Sequence, residues 1–367
     1  MEDNKPDPVL RLAKVIRERK EAHGGYSQLA EAIRVASQTE KAPLDRRKLR
    51  RIVDQDDTVT LSVEEIRALD KYLTPFGEGL ADRAFLVRRS LLSSLSAKDQ
   101  VMMLLGSHPR PGARNDVSRW DVRALSALQG ALGHLHPGTH PKIDDVLLRE
   151  ELETDPQTRE LFERHLKNKD LGVCMVGASR SNPASEGALC KMFLVEPFVQ
   201  PASTALPFRF IWSPKAHKSF PSAFALDYDE IEAQNSELAA EIKNEKAWAL
   251  LAEGELYRVP RTNELEGAAW KDYGIGVAQR RPGGRAWLVV AGLSGPATYA
   301  AALAVVKQQT GALPEAPHEE RPSKICWSLV EATVERDETV PGDSRTVTDV
   351  NVVLRRTCDP GGQAVAD

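Results

Sequence analysis

Three times in this chain a compact apolar run ends in small residues and gives way to a helical pattern. "DQVMMLLGS" leads through a polar loop to "SRWDVRALSALQGAL", "LGVCMVGAS" leads to "SNPASEGALCKMF", and "AWLVVAGL" leads to "SGPATYAAALAVVKQQTG". Short apolar runs bounded by turn residues read as fully buried strands. Strands alternating with helices predict a Rossmann-like, mostly parallel sheet with helices on both faces. "IDDVLL" adds a short strand, and "DPQTRELFERHL" a helix with Pro156 in its first turn. "YGIGVAQRRPGGRAWLVVAGL" reads as a hairpin turning at Pro282-Gly283-Gly284. "KICWSLVEATVERD" and "TVTDVNVVLRRT" read as an antiparallel sheet edge, and "YDEIEAQNSELAAEIKNEKAWALLAEG" as a long helix or helix pair. The fold class is therefore α/β.

Residues 8 to 75 differ in character and read as short amphipathic helices. Ser27 is the expected N-cap of "YSQLAEAIRVA", and Ser62 with Glu65 forms a capping-box pattern ahead of "SVEEIRALDKYL". Between them, "KAPLDRRKLRRIVDQD" places Leu44, Leu49, Ile52 and Val53 on one side of a helix and Arg46, Arg47, Lys48, Arg50 and Arg51 on the rest. Only Asp45 opposes those five cations within residues 44–53, although the whole chain carries a net charge of -4. General coating of nucleic acid is excluded by that balance, so any contact with DNA has to be local. A cationic helix suits the major groove and the phosphates beside it; a solvated helix face is the alternative use of the same residues.

The succession "YSQLAEAI", connector, basic helix and "LSVEEIRALDKYL" resembles the Cro/XRE-type helix-turn-helix family, over about residues 8–75. The resemblance rests on the Leu29-Ala30 pair and on Ser62 with Ile66. It implies double-stranded DNA as a partner, with Arg46, Arg47, Lys48, Arg50 and Arg51 on the recognition helix and Ser27 and Gln28 near the DNA backbone. "RVASQTEKAP" is longer than the tight turn of that family.

The three strand-to-helix loops are candidate ligand sites, because small residues admit backbone amides to an anion and a helix N-terminus adds a favourable dipole. The candidate ligand residues are Gly106, Ser107, Arg119, Gly177, Ser179, Ser181, Asn182, Gly292, Ser294 and Thr298, with Arg110, Arg114 or Arg180 as further sources of charge. The same residue types also serve as ordinary helix caps. No phosphate loop of the G-x-x-x-x-G-K-[ST] kind occurs, nor a dinucleotide fingerprint after a strand, and no cofactor is named by the sequence. "GASRSNPASEGAL" loosely resembles the phosphate-holding loop of flavodoxin-like FMN reductases over about a dozen residues. Glu186 and Asp121, each in a first helical turn, are the candidate catalytic carboxylates of a nucleosidase-like or NAD-cleaving reaction; as first-turn acids they also offset a helix dipole. "HLHPGTH", with His134, His136 and His140, reads as a loop rather than a metal site.

The expected layout is a helix-turn-helix domain over 1–80, a linker over 81–97, an α/β ligand-binding domain over 98–357 and a flexible tail over 358–367. The expected function is a DNA-binding transcriptional regulator that senses a small anionic or nucleotide-like ligand and pairs as a homodimer. The alternative is a nucleotide-processing effector with a helical recruiting module. Four scattered cysteines and the lack of a long apolar run point to a cytoplasmic, membrane-free protein.

Overall fold

The computed structural model of the chain describes residues 8–38, 43–54, 61, 63–76, 81, 92, 95, 100–108, 116–135, 140–147, 160, 164, 166–168, 171–199, 206–212, 221–226, 228–260, 269–282, 285–307, 322–336 and 344–360. Ser62, Arg110, Arg114, His136, Gly283, Gly284, most of the expected 155–166 helix, most of the 81–97 linker and the end of the tail lie outside the described residues.

Four helices come first: α1 (Pro8–His23), α2 (Tyr26–Ser37), α3 (Arg46–Val53) and α4 (Val63–Leu73). Each buries one apolar stripe, so that Leu12, Ile16, Leu29, Ile33, Leu49, Ile52 and Leu69 share one core. The expected Ser27 cap is not formed. Gly25 occupies the N-cap of α2 with no side-chain hydrogen bond, which leaves Ser27 exposed in the first turn. Asp45 caps α3 instead, accepting from the Lys48 N–H at 2.8 Å, and that bond holds its carboxyl below the ordinary carboxylate range.

The mixed region then runs β1 (Gln100–His108), β2 (Asp116–Val117), α5 (Arg119–Leu135), β3 (His140–Leu147), β4 (Leu171–Val176) and α6 (Pro183–Phe193). After it come β5 (Phe208–Ile211), α7 (Tyr228–Gln234), α8 (Ser236–Lys243), β6 (Ala247–Ala252) and β7 (Glu255–Pro260). The chain closes with β8 (Trp270–Arg280), β9 (Ala286–Gly292), α9 (Gly295–Val306), β10 (Ile325–Arg336) and β11 (Arg345–Cys358).

The main sheet has the order β11-β10-β8-β9-β4-β1, with β3 on the free side of β1 and β2 paired to the last two residues of β1. Pairings β9·β4, β4·β1 and β1·β3 are parallel; β11·β10, β10·β8, β8·β9 and β1·β2 are antiparallel. The expectation of a mostly parallel sheet with an antiparallel edge is therefore corrected. The short connection between β8 and β9 reverses the chain at once, and β10 extends that reversal along β8 from Trp270 to Ala278, so the antiparallel part is the larger one.

Helices cover both faces, as the all-apolar strands require. Val101, Met103 and Leu105 of β1 face α5 and α9, whereas Met102 and Leu104 face α6. The core on the α5 and α9 side is continuous with that of the four N-terminal helices and also contains Ala81, Leu92 and Leu95. A second sheet, β5-β6-β7, is antiparallel throughout. The segment expected as a long helix or helix pair forms the pair α7 and α8 and then turns into a strand. "AWALLA" is β6 because its alternate residues reach two different cores, Ala249 and Leu251 on one side and Leu250 and Ala252 on the other. Among the described residues no helix is long and apolar enough to cross a membrane.

Candidate functional site

Two places carry the residues singled out above. On α3, burial of Leu49, Ile52 and Val53 turns Arg46, Arg47, Arg50 and Arg51 to solvent as a contiguous basic strip. Lys48 does not belong to that strip. Its ammonium pairs with the largely buried carboxylate of Glu65 on α4, which ties the two helices together. Arg50 lies 3.5 Å from Asp54, an exposed pair of little energetic weight. Gln28 is exposed beside Ser27 at the start of α2.

The second place is the crevice at the carboxyl ends of β1 and β4. After β1 the chain forms α5 on one face and returns as β3; after the adjacent β4 it forms α6 on the opposite face and travels toward β9. Connections that leave neighbouring parallel strands in opposite directions open a gap above the sheet, the usual location of a ligand in open α/β folds. Gly106 is required here, because a Cβ would fall 1.6 Å from the carbonyl oxygen of Ser181. Gly177, at φ +113, makes the turn out of β4, and a Cβ on it would meet Ser181 Oγ at 3.2 Å and Asp121 Oδ2 at 3.4 Å. The Asp121 carboxylate therefore lies against the β4–α6 loop.

Asp121 is 5% exposed, and burial alone pushes its pKa up to about 7. No hydrogen bond or ion pair reaches its carboxylate from the described residues. Ser118 supports this turn by accepting from the Trp120 N–H at 3.3 Å. A buried acid with no partner among the described residues, in a strand-end crevice, is a candidate functional group. Near neutrality it either donates as a carboxylic acid or accepts as a carboxylate.

The other predicted residues are committed to holding the walls. Asn182 caps α6 through Ala184 N–H at 2.9 Å, and its Nδ2 donates to the carbonyls of Leu104 and Val176 at 3.0 Å each, joining the ends of β1 and β4. Glu186 is fully buried and accepts from Ser222 Oγ at 2.6 Å, Ala223 N–H at 2.7 Å, Phe198 N–H at 3.2 Å and Cys190 Sγ at 3.5 Å. Burial outweighs those donors and raises its pKa. Ser179 Oγ sits 3.0 Å from Ser222 Oγ and extends the same network. Gly292 packs so tightly that a Cβ would lie 2.4 Å from Thr298 N, while Ser294 donates to Asp272 and Thr298 Oγ1 donates to the Ser294 carbonyl at 3.2 Å. The third loop thus seats α9 on the sheet. Ser107 is buried, and Ser181 Oγ donates to the Ala178 carbonyl at 3.1 Å.

Charge gathers around the rim. Arg180 lies between the rings of Trp212 and Trp248, 5.4 and 5.6 Å from their centroids. Arg119, Arg123 and Arg345 surround Trp120, beside a cleft of about 500 Å³ lined also by Tyr299 and Val347. Sequence reasoning missed Asp272, fully buried at the start of β8, whose pKa burial raises to about 6 against the Ser294 hydroxyl, the Tyr273 N–H and Arg345. It missed Ser222 as well. Asp272 stands in an apolar strand, a signal available in "WKDYGIGV"; Ser222 has no local signal.

Compared with models of known protein families, with curated proteins and with solved structures, the chain matches none.

Proposed function

We propose that the chain is a DNA-binding regulator in which α3 contacts the duplex and the β1/β4 crevice binds a nucleotide-like ligand. In this proposal residues 8–75 act as a helix-turn-helix of the Cro/XRE kind and the parallel part of the sheet as a Rossmann-like site. One observation carries it: Arg46, Arg47, Arg50 and Arg51 occupy the open side of a capped helix whose other side is fixed in a core. Arginines presented this way suit phosphate and guanine recognition. The shared core between the helices and the α5/α9 face supports linkage, because a ligand that prefers one arrangement of that core must shift DNA affinity by the same coupling energy. Asp121 refines the ligand. A bare oxyanion beside it would require the protonated acid, whereas a sugar hydroxyl or base amine gives the carboxylate the donor it lacks.

The test is selection of the protein against sheared genomic DNA at physiological salt, beside the Arg46→Ala/Arg47→Ala/Arg50→Ala protein. Enrichment of a shared short sequence by the native protein alone is expected, and the triple variant should lower the slope of log affinity against log salt by about 3 if each arginine meets a phosphate. Enrichment by neither protein, or equally by both, would sink the proposal.

A second reading, a nucleotide-processing enzyme, is favoured by Asp121 specifically, since a pKa near 7 matches a general acid or base at neutral pH. It moves the expected catalytic carboxylate away from Glu186. Turnover of a nucleotide that Asp121→Asn abolishes, with DNA binding intact, would select it over the first.

A further inference from the structure

A second concentration of charge lies at the opposite end of the sheet, where residues 281–285 join β8 to the amino-terminal end of β9. The Arg281 guanidinium stands 4.2 Å from the centroid of the Trp287 indole, and that of Arg285 stands 5.6 Å from it. Trp287 and Arg285 are 1% and 8% exposed, and Arg281 is half-buried. Their acceptors are all neutral. Arg281 Nη1 donates to Gln279 Oε1 at 2.6 Å, and Arg285 Nη1 donates to the carbonyls of Leu166 and of Asn168, the latter at 2.9 Å.

Among the described residues no carboxylate pairs with either arginine. Three buried N–H groups, Arg281 Nε, Arg285 Nε and Trp287 Nε1, have no acceptor among the described residues. Burial, and then the neighbouring Arg285, push the Arg281 pKa down to about 10. Desolvated cations are ordinarily paired, and two facing each other add repulsion to the cost. The indole face offsets part of that cost but gives the Nε groups no lone pair. What the three donors have in common is the need for an acceptor, and two cations are balanced by two negative charges. A phosphate offers both, with several oxygens matched to guanidinium forks.

We propose that Arg281, Arg285 and Trp287 form a phosphate-binding site at the amino-terminal end of β9, separate from the β1/β4 crevice and independent of what that crevice binds. A free phosphate ion and the phosphate of a nucleotide present the same chemistry to it.

The experiment is a titration of the full-length protein with inorganic phosphate against chloride at matched ionic strength, read by the thermal midpoint and by tryptophan fluorescence. The native midpoint should rise by about 3.5 °C at phosphate near 100 times its Kd, relative to chloride. Arg281→Gln should weaken that response by about tenfold or more, because a charge-assisted bond is lost, while the phosphate-free protein becomes no less stable. Trp287→Phe should remove the fluorescence change and weaken the thermal one, because the indole N–H is lost, and the missing fluorescence change separates this indole from the other five tryptophans. Arg281→Lys keeps the charge and should retain a weaker response. A nucleoside monophosphate binding tenfold more tightly than phosphate identifies a nucleotide as the source, and equal binding identifies the free ion. The proposal is overturned by the absence of any phosphate-specific rise, by a rise that survives Arg281→Gln unchanged, or by Arg281→Gln destabilising the phosphate-free protein, which would make the arginine a packing element of the hairpin.

Discussion

Asp121 in the first turn of α5 and Glu186 in the first turn of α6 each follow a parallel strand and a small-residue loop, yet Glu186 accepts hydrogen bonds from four donors and Asp121 from none of the described residues. Their positions along the local pattern are nearly the same. The difference comes from the chain that passes over them. Phe198, Ser222 and Ala223, from 12 to 37 residues beyond Glu186, close over α6, whereas the turn around Asp121 faces the gap between diverging connections. Buried acids at equivalent helix starts can thus serve opposite ends, one as a fastener for distant segments and one as a reactive or recognising group.

The largest expected effect tests the fastener. Glu186→Ala strands two backbone N–H groups and a hydroxyl in a fully buried site, and should lower unfolding free energy by roughly 4 kcal/mol in denaturant melts. Glu186→Gln should cost roughly half as much, since the amide oxygen still accepts. A loss below about 1 kcal/mol for the alanine variant would break the contrast, because it would mean water satisfies those donors as well as the carboxylate does.

Asp121 should behave in the opposite sense. Its folded-state pKa, about 7, is above the ordinary value of 3.8, so the native protein holds this proton more tightly than the unfolded chain. The stability it contributes is complete below about pH 4 and is lost as pH rises through 7. Asp121→Asn should remove that component and, at about pH 8, raise stability by roughly 2 kcal/mol. Parallel pH profiles for the two proteins would show the carboxylate to be hydrated rather than bare. Smallest is Ser179→Ala, which removes only the outer member of the Glu186 network and should cost about 1 kcal/mol. A cost near that of Glu186→Ala would place Ser179 at the centre of the network instead.

These contrasts also explain what was readable beforehand. The strand-to-helix units around β1, β4 and β9 are local patterns with local causes, and they stand in the fold close to where periodicity puts them. The strand β6 was hidden because "AWALLA" is apolar on both faces and carries no period for a helix or a strand to claim. The balance of parallel and antiparallel pairing was hidden too, since pairing partners are chosen between segments far apart. Within the sites, Arg46, Arg47, Arg50 and Arg51 were legible because a helix separates its faces by spacing alone. The engagement of Lys48 was not, because Glu65 reaches it from another helix. Nor were the roles of Glu186 and Asp121 separable, their donors or lack of them being set by tertiary closure.

The parallel pairing of β4 with β9 joins Val173 to Trp287, over a hundred residues later in the chain, and everything from α6 to β8 intervenes. During synthesis β4 emerges beside β1 and must wait for β9, so the sheet's midline closes only after a long, entropically costly loop has been drawn in. Gly177 takes its N–H partner, the Val290 carbonyl, from that late arrival. The turn that shapes the crevice is therefore locked only when β9 docks, and a partly made chain contains the residues of the crevice without its geometry.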